Sequence, residues 1–273
     1  MAEFLQYKDA ESLPIDHRLI AHIKNQDANK FESFEKLNLI CFDLLDISNT
    51  AKDTVKITIC QTKDKIYFIA DEQGTLDKLK TYVKPESQPD KELYGFFSLL
   101  LKPDIDKMEE LEEEVTDMED VLLKDNRTDY TTGIISYRKK LLRLKRYYEQ
   151  LSQAFDGVLE NENQFISKEN LKYFKFLDQK ADRLLAHIVN IRDYITQVRE
   201  AYQAQIDIEQ NRLMKVFTVI TAIFLPLTLI VGWYGMNVKM PEYSWPFGYL
   251  YVITLSVVVI VLLVMFFKKK KWF

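Results

Sequence analysis

Helix breakers are scarce: the chain holds seven glycines and seven prolines among 273 residues. Together they make up about 5%, where roughly 12% is usual. That shortage favours long helices and argues against an all-β, collagen-like or low-complexity protein. Only Cys41 and Cys60 carry thiols, too few for a disulfide scaffold and in keeping with a reducing compartment. Of the three histidines, His17 and His22 stand five apart, off a common helical face, and make a poor zinc pair. His187 is the third. There is no glycine-rich phosphate loop, so neither a nucleotide partner nor ATP-driven pumping is expected, and no nucleophile–base constellation suggests an enzyme. A net charge of -4 gives no reason to expect nucleic acid. The first nine residues are mixed and acidic without an apolar stretch, so no signal peptide is expected there.

Charge itself is missing from two long stretches. No Asp, Glu, Lys or Arg occurs from Val216 to Val238, nor from Tyr243 to Phe267. The mean hydropathy of -0.20 therefore averages a polar first three-quarters with an apolar end. Each stretch supplies the roughly 20 apolar residues that a helix needs to cross the hydrocarbon core. Buried core helices rarely stay uncharged for so long. Arg212 and Lys215 precede the first span, and Lys268 to Lys271 follow the second; the joining loop offers Lys239 against Glu242. The excess of inside-facing cations puts both termini in the cytoplasm of a cell membrane. Trp233, Tyr234, Tyr243, Trp245, Tyr249 and Tyr251 gather at the outer boundary, where amphipathic rings settle.

Two spans per chain cannot enclose water, so a conduit needs several chains. Asn211, Thr218, Thr221 and Thr228 recur at spacings of 7, 3 and 7, and Leu225 and Gly232 continue the row. At 3.6 residues per turn they form one stripe. Threonine in a membrane helix also bonds back to its own backbone. A row leading to a terminal Asn reads better as the wall of a passage, and Pro226 should loosen the helix near its outer half. No acid, base or histidine lies within either span, which suits passive conduction rather than proton coupling. For a divalent cation the electrical drive is about 4.6 kcal/mol per 100 mV.

Upstream, residues 167–232 read as one helix of about 99 Å, with Leu177, Leu184, Ile188, Ile191, Ile195, Val198 and Tyr202 in heptad-like rhythm. Before it, residues 104–120 hold ten carboxylates, read as a solvated face, on a helix paired with a return helix near 134–159 that carries a basic run from Arg138 to Arg146. Residues 124–133 form their turn. The first hundred residues look α/β, with strands near 39–45, 55–59 and 66–70, a hairpin turn at 61–65, and helices near 75–83 and 91–101.

At the end of the first span stand Tyr234, Gly235, Met236 and Asn237, followed by Met240, Pro241 and Glu242. With Asn211, Met214 to Val216, the run Phe224 to Thr228 and the terminal KKKKWF, this region resembles the CorA-type magnesium channel family. The resemblance implies a funnel-shaped homopentamer in a membrane. It implies an α/β domain at 1–102, a helical hairpin at 103–165, a stalk at 166–235 continuous with a span at about 213–234, an outer loop at 235–248, a second span at 249–267 and a basic tail at 268–273. Gly235, Met236 and Asn237 would form the selectivity filter. Thr228, Leu225, Thr221, Thr218, Phe217, Met214 and Asn211 would line the pore, with Glu242 in the outer loop. Neutral amides suit Mg²⁺, which keeps its waters and can be held through them. Co²⁺ or Ni²⁺ are alternative passengers, and no cofactor beyond the carried ion is expected. Mg²⁺ inside the cell would hold the stalk closed through Asp178 and Asp182, or Asp43 and Asp46. Two other readings stay open: a zinc transporter of the same superfamily, against which Met236 speaks, and a non-conducting membrane-anchored coiled-coil scaffold.

Overall fold

The computed structural model describes residues 2–13, 19–21, 23, 30–86, 88–124, 131–238, 240–270 and 272. His17, His22, Lys239 and residues 125–130 of the expected turn lie outside them. The chain forms two compact units, Met1–Arg199 and Glu200–Phe273.

In the first unit five strands, β1 (Ala2–Gln6), β2 (Phe31–Ser33), β3 (Asn38–Leu44), β4 (Val55–Gln61) and β5 (Ile66–Ala70), make one sheet in the order β1-β5-β4-β3-β2. β1 runs parallel to β5, with Ala2 opposite Ile66 and Gln6 opposite Ala70; the other pairs are antiparallel. The clean alternation of β4 suggests one wet face, yet both faces are covered. Ile57, Ile59, Phe68 and Phe42 join the larger core, while Leu39, Cys60, Tyr67 and Ile69 join a second one on the opposite face. Thr58, which should face water, is buried there and bonded to Tyr7 Oη at 2.8 Å. A sheet covered on both faces needs apolar residues at both parities, as the fully buried run Ile66–Ala70 supplies.

Among the described residues six α-helices follow: α1 (Gln73–Tyr82), α2 (Pro89–Leu100), α3 (Asp104–Lys124), α4 (Thr131–Glu160), α5 (Leu171–Tyr234) and α6 (Gly248–Lys269). The apolar stripes of α3, α4 and the first part of α5 meet in the larger core: Met108, Leu111 and Val115 with Leu144, Tyr148 and Leu151, and with Leu177, Leu184 and Ile188. The heptad-like rhythm is the trace of this packing within one chain. At the sheet end of α4, a Cβ on Gly157 would lie 2.3 Å from the Phe31 ring, so only glycine lets the helix come this close. Asp90, in the first turn of α2, accepts hydrogen bonds from Ser167 N at 3.0 Å and Asn170 Nδ2 at 2.9 Å and so fixes the segment that leads into α5. Its burial opposes the charge, but the bonds from Asn170, Ser167 and Lys91 win and hold the carboxyl below its ordinary range.

The ten-carboxylate run is not wholly a solvated face. Asp104 is fully buried, accepts a hydrogen bond from Tyr148 Oη at 2.9 Å and keeps its Oδ1 without a partner. Burial pushes its pKa up to about 6, against the opposing bond from Tyr148 and the charge of Lys180. Spacing carried the clue: Asp104, Met108, Leu111 and Val115 recur at four, three and four, so the acid lies on the apolar stripe itself.

Candidate functional site

The second unit consists of the far part of α5, a 3-10 turn at Pro241–Ser244, and α6. Both helices are long and apolar enough to cross a membrane. α5 stays helical through Pro226, although proline removes one ladder donor. Around this helix, coverage is one-sided. Val219 is buried, and Ala222, Ile223, Pro226, Leu227 and Ile230 are half-buried along one side. Asn211, Met214, Phe217, Thr218, Thr221, Leu225, Thr228 and Gly232 lie on the other side, all exposed, Leu225 at 66%. The polar row and its apolar companions thus share the uncovered face.

The threonine hydroxyls on that face donate to their own helix: Thr218 to Met214 O at 2.7 Å, Thr221 to Phe217 O at 2.8 Å and Thr228 to Phe224 O at 2.9 Å. The backbone-bonding alternative therefore holds for all three. It leaves each oxygen's lone pairs as the outward polar feature, a lining of weak acceptors rather than donors. The second span repeats the habit, with Thr254 bonded to Leu250 O and Ser256 to Val252 O.

Past Tyr234 the chain turns out of the helix. Gly235 N donates to Val231 O at 2.8 Å, and Met236 N to Trp233 O at 3.3 Å. A Cβ on Gly235 would sit 2.8 Å from that same Val231 oxygen. Close backbone approach, not a left-handed conformation, is what calls for glycine here, because its φ is not positive. Met236 and Asn237 are exposed; Asn237 does not take the left-handed conformation of a helix C-cap, and among the described residues its side-chain amide has no hydrogen bond. Glu242 lines a groove of about 750 Å³ with Tyr234, Gly235, Trp245 and Tyr249. A side chain on Gly248 would strike Glu242 O at 2.4 Å, which keeps this corner tight.

The four acids singled out for sensing fall into two places. Asp178 and Asp182 both approach Ser152 Oγ, at 3.5 and 3.3 Å. Burial, then the charges of Asp182 and Asp156, push the Asp178 carboxyl upward, as a crowd of like charges should. Asp43 sits on β3 opposite Lys56, and its backbone N–H donates to Gln150 Oε1 at 2.9 Å. Asp46 lines a cavity of about 190 Å³ with Asp53, Asp104 and Tyr147. Among the described residues no three His, Cys, Asp or Glu side chains converge closely enough to hold a metal ion. His187 pairs with Glu112 at 2.7 Å instead.

A polar α/β unit followed by two long uncharged helical stretches, with a polar row on the open face of the first, fits a membrane-spanning protein. The model of the family described as CorA-like Mg²⁺ transporter protein matches residues 10–269, and the chain belongs to that family, whose members are ion transporters. The cobalt/magnesium transport protein CorA of Thermotoga maritima is 28% identical over 181 residues, covering 66% of this chain and 52% of that protein. The magnesium transport protein CorA of Yersinia pseudotuberculosis is 38% identical over 92 residues, 33% of this chain and 29% of the other. The chain thus spans about half or less of the length of these relatives. The complete structure of the CorA magnesium transporter from Methanocaldococcus jannaschii superposes with a TM-score of 0.82 at 22% identity, over 98% of this chain and 87% of that one. At that identity the likeness establishes the fold: an α/β domain, a long helix and two apolar helices.

Proposed function

We propose that five copies of this chain form a channel that admits Mg²⁺ into the cell down its electrochemical gradient, with both termini in the cytoplasm. One observation carries the proposal: the single polar row of α5 lies on the face that the rest of its unit leaves uncovered. An exposed acceptor row in hydrocarbon is costly. Copies arranged with these faces inward would surround water instead. Asn211, Met214, Phe217, Thr218, Thr221, Leu225 and Thr228 then line the passage, and Gly235, Met236 and Asn237 stand at its outer mouth. A ring of unbonded Asn237 amides accepts hydrogen bonds from the waters of a hydrated ion and need not strip them. Glu242 in the outer loop is offset by Lys239, so selection rests on the amides rather than on net charge at the entrance. Inside the cell, Mg²⁺ bound at Asp178 and Asp182, or at Asp43 and Asp46, holds the assembly closed.

The test is ion flux into proteoliposomes. Asn237→Ala abolishes Mg²⁺ entry while the assembly keeps its mass; unchanged flux overturns the filter, and no flux in the parent protein returns the scaffold reading. Running Co²⁺, Ni²⁺ and Zn²⁺ in parallel ranks the passengers, and faster entry of Zn²⁺ than Mg²⁺ favours the zinc reading instead. Asp178→Asn with Asp182→Asn weakens closure by internal Mg²⁺, and the same measurement on Asp43→Asn with Asp46→Asn decides between the two places.

A further inference from the structure

The outward side of α3 and the groove between α4 and α5 carry opposite charge. On α3, Asp106, Glu109, Glu113 and Asp117 recur at spacings of three, four and four, opposite the buried Met108, Leu111 and Val115. Their neighbours are already engaged within the chain: Glu112 with His187 at 2.7 Å and Glu114 with Lys140 at 3.3 Å. The four outward carboxylates have no hydrogen bond or ion pair among the described residues. The groove, of about 340 Å³, has a floor that includes Leu141 and Ile188 and a rim of Arg138, Lys139, Lys145 and Arg192, with no acid in its lining. Lys145 and Arg192 pair with acids of their own helices, Glu149 and Asp193; Arg138 and Lys139 have no ion pair among the described residues. Exposed Ile135 and Leu142 stand among these cations.

The two surfaces match in length as well as sign. Asp106 to Asp117 covers eleven residue steps and Ile135 to Lys145 of the groove ten, about 16 and 15 Å of helix. The acidic row is bounded by Ile105 and Val121, exposed at 45% and 47%, so each surface combines charge with apolar contact. At physiological salt a charge is screened beyond about 8 Å, so only direct docking lets the two rows attract strongly.

We infer that the acidic α3 face of one copy seats on the basic α4–α5 groove of the next. Every chain brings one of each surface in a one-to-one ratio, and the two surfaces differ, so the contact is head-to-tail. A head-to-tail contact propagates around a ring until the rotation closes. This rests on the proposed assembly of several chains and specifies how neighbouring copies hold each other outside the membrane.

The test uses the full chain in detergent with Glu113→Cys and Leu142→Cys together, the native thiols Cys41 and Cys60 being buried. A short thiol cross-linker gives a ladder of covalent multimers in the double variant and none in either single variant. Adding Glu109→Lys and Asp117→Lys removes most of the ladder, as does adding Arg138→Glu and Lys139→Glu. Combining both reversed sets restores it, which a folding defect cannot do. Intact multimers by native mass spectrometry with no ladder overturn this contact and leave the assembly standing; a monomer overturns both. A dimer from a single-cysteine variant overturns the head-to-tail arrangement. Protection of Leu142→Cys from a maleimide by phosphatidylglycerol vesicles, without a ladder, assigns the groove to a lipid surface instead.

Discussion

The two units of this chain meet opposite requirements with the same kind of residue. In the first unit Phe42, Phe96, Phe97 and Phe155 are fully buried, with Phe97 centred 5.0 Å from Phe155 and 5.1 Å from Phe96. In the second, Phe217 and Phe224 stand open at 63% exposure each. The first unit closes its own cores on both faces of the sheet. The second buries little besides Val219 and Phe267 among its described residues. An apolar side chain left bare is an error in water but a requirement in hydrocarbon or at a helix–helix contact between copies. Apolar content alone therefore says nothing about where stability resides; the solvent against which each surface is measured decides it.

Substituting one residue type in both units sharpens this contrast most. Phe97→Ala should cost about 3–5 kcal/mol, the usual loss for a buried aromatic, seen as a large drop in the midpoint of thermal unfolding of the detergent-solubilised chain. Phe217→Ala should leave that midpoint unchanged within error. Equal effects would dissolve the distinction between the units.

Next in size is the buried acid. Asp104 in the folded chain titrates at about 6 rather than 3.8, so between those values the folded state holds the extra proton. Stability therefore falls as pH rises through that window and levels off above it. Asp104→Asn keeps an oxygen for Tyr148 and removes the titration. Its unfolding free energy should lose the part of the slope that Asp104 contributes and exceed that of the parent by up to about 3 kcal/mol at pH 7. A parallel slope in both proteins would show that the carboxyl is not the source.

Smallest is Gly157→Ala, which forces a methyl against the Phe31 ring. It should cost about 1–3 kcal/mol by overpacking, measured by the same melts. The corresponding change at Gly95, inside α2 with nothing within 4 Å of an added Cβ, should instead stabilise by about 0.5–1 kcal/mol and serves as the comparison.

Much of the architecture was readable because long-range physics left local marks. Two charge-free stretches announce spans without any tertiary information, and α3 to α5 announce themselves by stripes that must face a partner. β4 and β5 were readable from their apolar runs and the turn between them. β1 and β2 were not: AEFLQ and FES are short edge segments whose pairing partners lie far along the chain. The covering of the second sheet face was hidden for the same reason, since an alternating strand looks half-wet until something packs over it. At the candidate site, the row of threonines follows from helical spacing, while the direction of their hydroxyls does not. Asp104 was missed because composition counts carboxylates and only position on the stripe distinguishes the buried one.

The parallel pairing of β1 with β5 orders events on the ribosome. Ala2–Gln6 is synthesised before every other strand of the sheet, but its place beside Ile66–Ala70 exists only after the whole antiparallel meander has emerged. At about 5–20 residues per second, that leaves this strand waiting for several seconds. A bulky fusion ahead of Ala2 therefore burdens the last step of sheet completion, and a reporter appended after the basic tail leaves that step untouched.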